Sequence, residues 1–157
     1  MNEGCIISGY PGIGKSTLAN AENGYIDLES SMFYVNGIRY PDWYIPYCDL
    51  ACDLANQGYR VFISSNIITR SYLSSLTQKP RLYTCFPDYS LKYEWINKLA
   101  ARFDNTMLLK DIRAFTTANS RYDEHIKALY ESEGFTPIII RDMDYDLKTV
   151  LEAVIDG

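Results

Sequence analysis

"SGYPGIGKST", residues 8–17, is the stretch on which the fold of this chain turns. Gly9, Gly14, Lys15 and Ser16 stand at the spacing G-x-x-x-x-G-K-[ST], a pattern in which backbone amides surround phosphate oxygens. The residue types fit that task one by one. Gly12 and Gly14 carry no Cβ, so the chain can turn tightly and bring its N–H groups inward. Pro11 restricts the turn. Lys15 brings a point charge to terminal phosphates, and Ser16 a hydroxyl for a hard divalent cation. Thr17 opens a helix whose positive end faces the same place. With Gly9 and Ile13, these residues are the expected nucleotide contacts.

The flanks agree. "CIIS" (5–8) is a short apolar run placed as a strand, and "KSTLANA" (15–21) reads as a helix, which is the strand–loop–helix order the pattern requires. At 157 residues the chain is read as one domain, large enough for a single buried core. The apolar runs are a few residues long, against the ~20 that a membrane span needs. A net charge of −5 argues against a large nucleic-acid surface, which calls for a clustered basic face, but leaves room for a small anionic ligand. Cys5, Cys48, Cys52 and Cys85 show no C-x-x-C spacing and His125 stands alone, so reduced core thiols and a cytoplasmic setting are expected.

Short apolar runs alternate with helical stretches along the chain. Strands are expected at 5–9, 24–29, 59–66, 81–86 and 136–141. Helices are expected at 15–21, at 42–57 with Tyr47, Leu50, Ala51 and Leu54 on one face, and from Thr69 as N-cap. A further helix, capped by Asp88 or Ser90, runs to about Phe103. One or two more occupy 107–132, and a last one, capped by Asp146, turns Leu147, Val150, Leu151 and Val154 inward. Alternation of this kind implies an α/β fold with parallel strands and right-handed crossovers, with ligands at the carboxyl ends of the strands.

Those ends sort the uses of a bound phosphate. The third strand ends "FISSN", without the Asp-Glu pair of motor ATPases, and D-x-x-G and N-K-x-D, the marks of GTPase switches, are missing. The second strand ends "YIDLESS" (25–31). Asp27 and Glu29 are two apart and project the same way, one to orient Mg²⁺ and the other to receive or bind an acceptor hydroxyl proton; the plain alternative is a solvated strand end.

On residues 9–17 and this layout, the chain resembles the small P-loop kinases: the nucleoside and nucleotide kinases and the shikimate- and gluconate-kinase type. It is also similar to small phage-type proteins described as kinases or ATP-binding proteins, with their "IDLESS" and "FPDYSLKYEW" stretches. The resemblance implies a P-loop NTPase three-layer sandwich with a five-stranded parallel sheet in the order 2-3-1-4-5. It implies ATP and Mg²⁺ as cofactors, with Ser16 and Asp27 serving the metal. Asp27 and Glu29 occupy a D-x-E version of the D-x-D of the shikimate-kinase type. "SSN" (64–66) departs from the Asp-Gly-type acceptor motif of adenylate-kinase-like members.

Kinases of this fold close a lid over the γ-phosphate, and residues 91–125 are the expected lid, with Arg102 beside Lys98 as its working cation and Lys15, Asp27 and Glu29 completing the catalytic set. Phe33, Tyr34 and Trp43 are expected to flank a substrate ring and Arg39 to take a phosphate, or else to form a packed aromatic cluster over the sheet. Arg141, after the last strand, is expected to stack on adenine. The expected activity is transfer of the γ-phosphoryl group to a small hydroxylated acceptor. The alternatives are a polynucleotide 5′-end kinase, for which Arg39, Arg70, Lys79 and Arg81 would have to share one face, and a slowly hydrolysing or non-catalytic ATP-binding module.

Overall fold

A computed structural model describes residues 3–35 and 38–157, and of residues 31, 32, 34 and 35 the backbone alone. In chain order the elements are β1 (Cys5–Gly9), α1 (Lys15–Ala21), β2 (Tyr25–Asp27), a 3-10 turn (Ser30–Phe33), β3 (Tyr34–Val35), β4 (Ile38–Arg39), α2 (Tyr44–Asn56), β5 (Arg60–Ser64), α3 (Ile67–Ser75), β6 (Arg81–Pro87), a second 3-10 turn (Tyr89–Leu91), α4 (Lys92–Thr106), α5 (Leu109–Tyr130), β7 (Thr136–Ile140) and α6 (Leu147–Ile155).

Five strands form one parallel sheet in the order β2-β5-β1-β6-β7. The labels depart from the expected 2-3-1-4-5 because the two-residue strands β3 and β4 pair as an antiparallel hairpin outside this sheet. The hairpin falls where a plain loop was expected. With it set aside, the main strands lie second, third, first, fourth, fifth.

β1 lies in the middle of the sheet with each of its residues buried, and a strand covered on both faces reads as a near-continuous apolar run; its one polar side chain, Ser8, donates to Ser64 O at 3.0 Å. Its side chains alternate. Cys5 and Ile7 join Leu18, Trp95, Leu99, Ile126 and Leu151 beneath α1, α4, α5 and α6. Ile6 joins Tyr47, Ala51, Val61 and Leu73 beneath α2 and α3. The result is a helix–sheet–helix sandwich with a core on each side, and each fully buried large side chain contributes on the order of 1.5–3 kcal/mol. In register, Gly9 stands beside Ser64 and Cys85, so β1 and β5 end at one level while β6 runs on to Pro87, and the glycine loop leaves the sheet there.

Several local expectations are corrected. The N-cap of α3 is Asn66, whose side chain accepts from the Ile68 amide, and Thr69 is buried in the first turn. Asp88 caps the 3-10 turn before α4 through Ser90 N, not α4 itself. Residues 109–130, where one or two helices were expected, do hold helix, in two stretches that meet at a kink at Arg121. On α2 Leu50 is 37% exposed, and on α6 Val154 is 38% exposed while Ile155 turns inward. Each sits at the edge of its apolar stripe, where one step of about 100° decides the side. Asp146 does cap α6, accepting from Thr149 N. No helix among the described residues is long and apolar enough to cross a membrane.

Candidate functional site

The glycines of residues 9–14 are each needed. Gly12 has φ +90° and Gly14 φ +105°, the left-handed region that side chains disfavour. Gly9 is needed for space: a Cβ there would lie 2.7 Å from Ile13 Cδ1 and 2.9 Å from Lys15 Cδ. The loop therefore folds back over Gly9 and lays the Lys15 stem across it, with Lys15 Nζ donating to Gly9 O at 3.2 Å. Burial lowers the Lys15 pKa by penalising its charge, and the carboxylates of Asp27 and Glu29 partly restore it. An anion in front of the loop would relieve that penalty.

The loop opens on a cavity of about 790 Å³. Its first wall is residues 11–18. Its second is the carboxyl end of the sheet: Asp27 at the end of β2, Glu29 and Ser30 after it, and Ser64 at the end of β5. Tyr47 straps these ends together, donating to Leu28 O at 2.8 Å and accepting from Ser64 N at 3.1 Å. Burial raises the Asp27 pKa, against the opposing pull of Lys15. The Ser64 hydroxyl is buried without a hydrogen-bond partner among the described residues.

The third wall is cationic. Lys98 and Arg102 come from α4 and Lys110 from α5. Arg102 Nε lies 3.0 Å from the carboxylate of buried Asp111, whose other oxygen accepts from the Thr106 hydroxyl. That network pins the turn between α4 and α5. Lys110 forms no ion pair among the described residues. The fourth wall, Leu18, Ala21, Met143 and Leu147, is an apolar shelf rimmed by the Lys148–Glu22 pair at 3.2 Å.

Of the residues picked from sequence, Pro11, Gly12, Ile13, Gly14, Lys15, Ser16, Thr17, Asp27, Glu29 and Arg102 line this one cavity, and Gly9 packs behind it. Others fall elsewhere. Arg141 is 71% exposed on its side chain and faces Asp88 at 3.7 Å, outside the cavity. Phe33 packs edge-on to Tyr47, Trp43 is buried beside Tyr47, and Arg39 lies 4.0 Å over the Trp43 ring and donates to Ser30 Oγ. These three form the packed aromatic cluster on the α2 side. The Tyr34 side chain lies outside the described residues. Within residues 91–125, where the lid is expected, Trp95 and Leu99 are buried, with Trp95 Nε1 donating to Pro11 O at 2.9 Å.

Sequence reasoning missed Ser64, Lys110, Met143 and Tyr145 as cavity residues. Ser64 ends β5, Met143 and Tyr145 follow β7, and Lys110 lies in the first turn of α5, so position at or after a strand end was the one available signal, and it was absent for Lys110. No family model matches this chain, and none of the curated proteins matches it.

Proposed function

We propose that the chain is an ATP-dependent small-molecule kinase built on a P-loop NTPase-type sandwich. The observation that carries this reading is convergence. The glycine loop with Lys15, the strand-end acids Asp27 and Glu29, and the cations Lys98, Arg102 and Lys110 come from different parts of the chain and border one cavity. Phosphoryl transfer asks for little beyond positioning and charge stabilisation, and this set offers both.

In this reading residues 9–17 hold the triphosphate and the apolar shelf by Met143 and Leu147 takes the base. Mg²⁺, when bound, would neutralise charge on the phosphates. Ser16, an oxygen donor bordering the cavity, would hold a hard cation carried by a nucleotide, and Asp27, which the resemblance gives to the metal, is assigned here to the acceptor proton instead. Among the described residues no cluster of three His, Cys, Asp or Glu is arranged to hold a metal without such help. An acceptor hydroxyl would attack the γ-phosphorus, the bond from that phosphorus to the β,γ-bridging oxygen would break, and the hydroxyl proton would pass to Asp27. Burial makes Asp27 a stronger base than an exposed aspartate.

The polynucleotide alternative loses support. Arg70 is buried and hydrogen-bonds near the end of α5, at Ala128 O and Ser132. Lys79 and Arg81 line a different cavity at the amino end of β6, and Arg39 lies on Trp43. The four do not form one basic groove.

The test is incubation with Mg²⁺ and γ-labelled ATP against separate pools of nucleosides, nucleotides, sugars and a 5′-hydroxyl oligonucleotide. Label in a small-molecule pool is expected. Label in the oligonucleotide alone, or released only as free phosphate, would replace this reading with one of its alternatives.

A further inference from the structure

Residues 10–14 meet a problem that their glycines create. A trans peptide points its C=O and N–H in opposite directions, so the Pro11 carbonyl fixes the aim of the Gly12 amide, and the Ile13 carbonyl that of Gly14. Both planes precede a glycine, where a flip meets least steric resistance. A flip would turn a carbonyl oxygen toward the place where an anion must bind.

Both carbonyls are held. Trp95 Nε1 donates to Pro11 O at 2.9 Å, and Tyr145 Oη donates to Ile13 O at 2.8 Å. The donors come from α4 and from the loop after β7. Lys98 Nζ lies 2.9 Å from Tyr145 Oη. An ammonium only donates, so Tyr145 must accept from Lys98 and keep its own hydrogen for Ile13. Lys98 is itself held by two rings, 4.3 Å from the Trp95 centroid and 4.9 Å from that of Tyr145, and the rings stack at 5.9 Å. Leu99 closes the group: a Cβ on Gly12 would lie 2.9 Å from its Cδ2. Positions 95, 98, 99 and 102 share one face of α4, so the helix that carries Arg102 is keyed directly to the loop.

We propose that Trp95, Lys98 and Tyr145 are a positioning unit that fixes the two glycine-preceding peptides of the loop in their anion-binding orientation and thereby sets affinity for a polyphosphate. The proposal rests on the reading of residues 9–17 as a phosphate site. It assigns the aromatic pair a task beyond core packing, and Lys98 a task beyond supplying charge to the cavity.

Tripolyphosphate and MgATP binding would be measured by calorimetry for the wild type, Trp95→Phe, Tyr145→Phe, Lys98→Met and the Lys98→Met/Tyr145→Phe double variant. Thermal midpoints would be recorded alongside. Trp95→Phe and Tyr145→Phe keep a ring and lose one donor each, so both are expected to fold and to weaken both ligands by about 2- to 10-fold. Lys98→Met is expected to cost less in the Tyr145→Phe background than alone, because its relay is already broken. Equal losses in the two backgrounds would make Lys98 a plain cavity cation and overturn its positioning role. Unchanged affinity in both aromatic variants, with the wild type binding well, would overturn the positioning unit while leaving the kinase reading standing. Absence of binding by the wild type would overturn both.

Discussion

The two walls that face each other across the cavity are built to different standards. The loop wall, Gly9–Ser16, has its carbonyls engaged by Trp95 and Tyr145, and its glycines are shaped by Ile13, Lys15 and Leu99. In the opposite segment, Leu28–Tyr44, Leu28 is strapped by Tyr47 and by Phe62 O, and Arg39 donates to Ser30 Oγ while lying over the Trp43 ring. Beyond Ser30, Phe33 and Trp43 turn to α2, and among the described residues of the segment Leu28, Glu29 and Ser30 border the cavity, next to Asp27 at the end of β2. On the proposed function, the difference teaches where specificity would reside. The phosphate side would be prepared before any ligand arrives. The acceptor side would offer, among the described residues, short polar groups and no ring, which suits a hydroxylated acceptor held by hydrogen bonds more than one sandwiched between aromatics.

The sharpest way to break the comparison is Lys15→Ala. It removes the one charge the loop wall supplies and is expected to lower transfer about 10³-fold in single-turnover assays. A loss under tenfold would mean that the cations of α4 and α5, not the loop, dominate. The pH profile comes next. Burial places the Lys15 pKa below the ordinary 10.5, so its charge is lost earlier on raising the pH. kcat/KM for ATP is then expected to fall about tenfold per pH unit along an alkaline limb that begins below 10.5. On the acid side, burial raises Asp27 above 3.8, so activity should rise with pH through a limb lying above that value, and Asp27→Asn should abolish the limb.

Smaller effects separate strain from contact within the loop. Gly12→Ala meets both a φ of +90° and Leu99 at 2.9 Å, and should cost about 2 kcal/mol in urea unfolding. Gly14→Ala meets φ +105° but nothing closer than 3.8 Å, and should cost about 1 kcal/mol. Smallest of all, Arg39→Ala should leave the KM for ATP within about twofold, since Arg39 lies on Trp43 outside the cavity. A large rise in the acceptor KM would return that segment to the substrate site.

What could be read from the sequence is what is written locally. Gly9, Gly14, Lys15 and Ser16 announce the loop because each is demanded by backbone shape or charge at a fixed offset. The strands expected at 5–9, 59–66, 81–86 and 136–141 could be picked out because each holds a short apolar run, the mark of a strand packed beneath helices. The contacts that brace the loop were not legible: Trp95 and Tyr145 lie 84 and 132 residues from the carbonyls they hold, and no local pattern encodes such a meeting. Trp95 shows only as part of an apolar stripe. Arg141 follows the last strand and so invites a ligand role, yet in the fold its nearest charge is Asp88. The cap of α3 went to Thr69 because Asn66 could equally end the strand before it, and Ser, Thr, Asn and Asp compete for such places on nearly equal terms.

The central claim is that the loop wall binds ATP while the strand-end acid serves transfer. Asp27→Asn tests it most directly, with ATP affinity by calorimetry and single-turnover transfer to the preferred acceptor measured on the same preparation. The expected result is ATP affinity within about threefold of wild type and transfer lowered about 10²-fold. Full transfer by Asp27→Asn would contradict the account, because the acid at the end of β2 would then be a solvated strand end and nothing more.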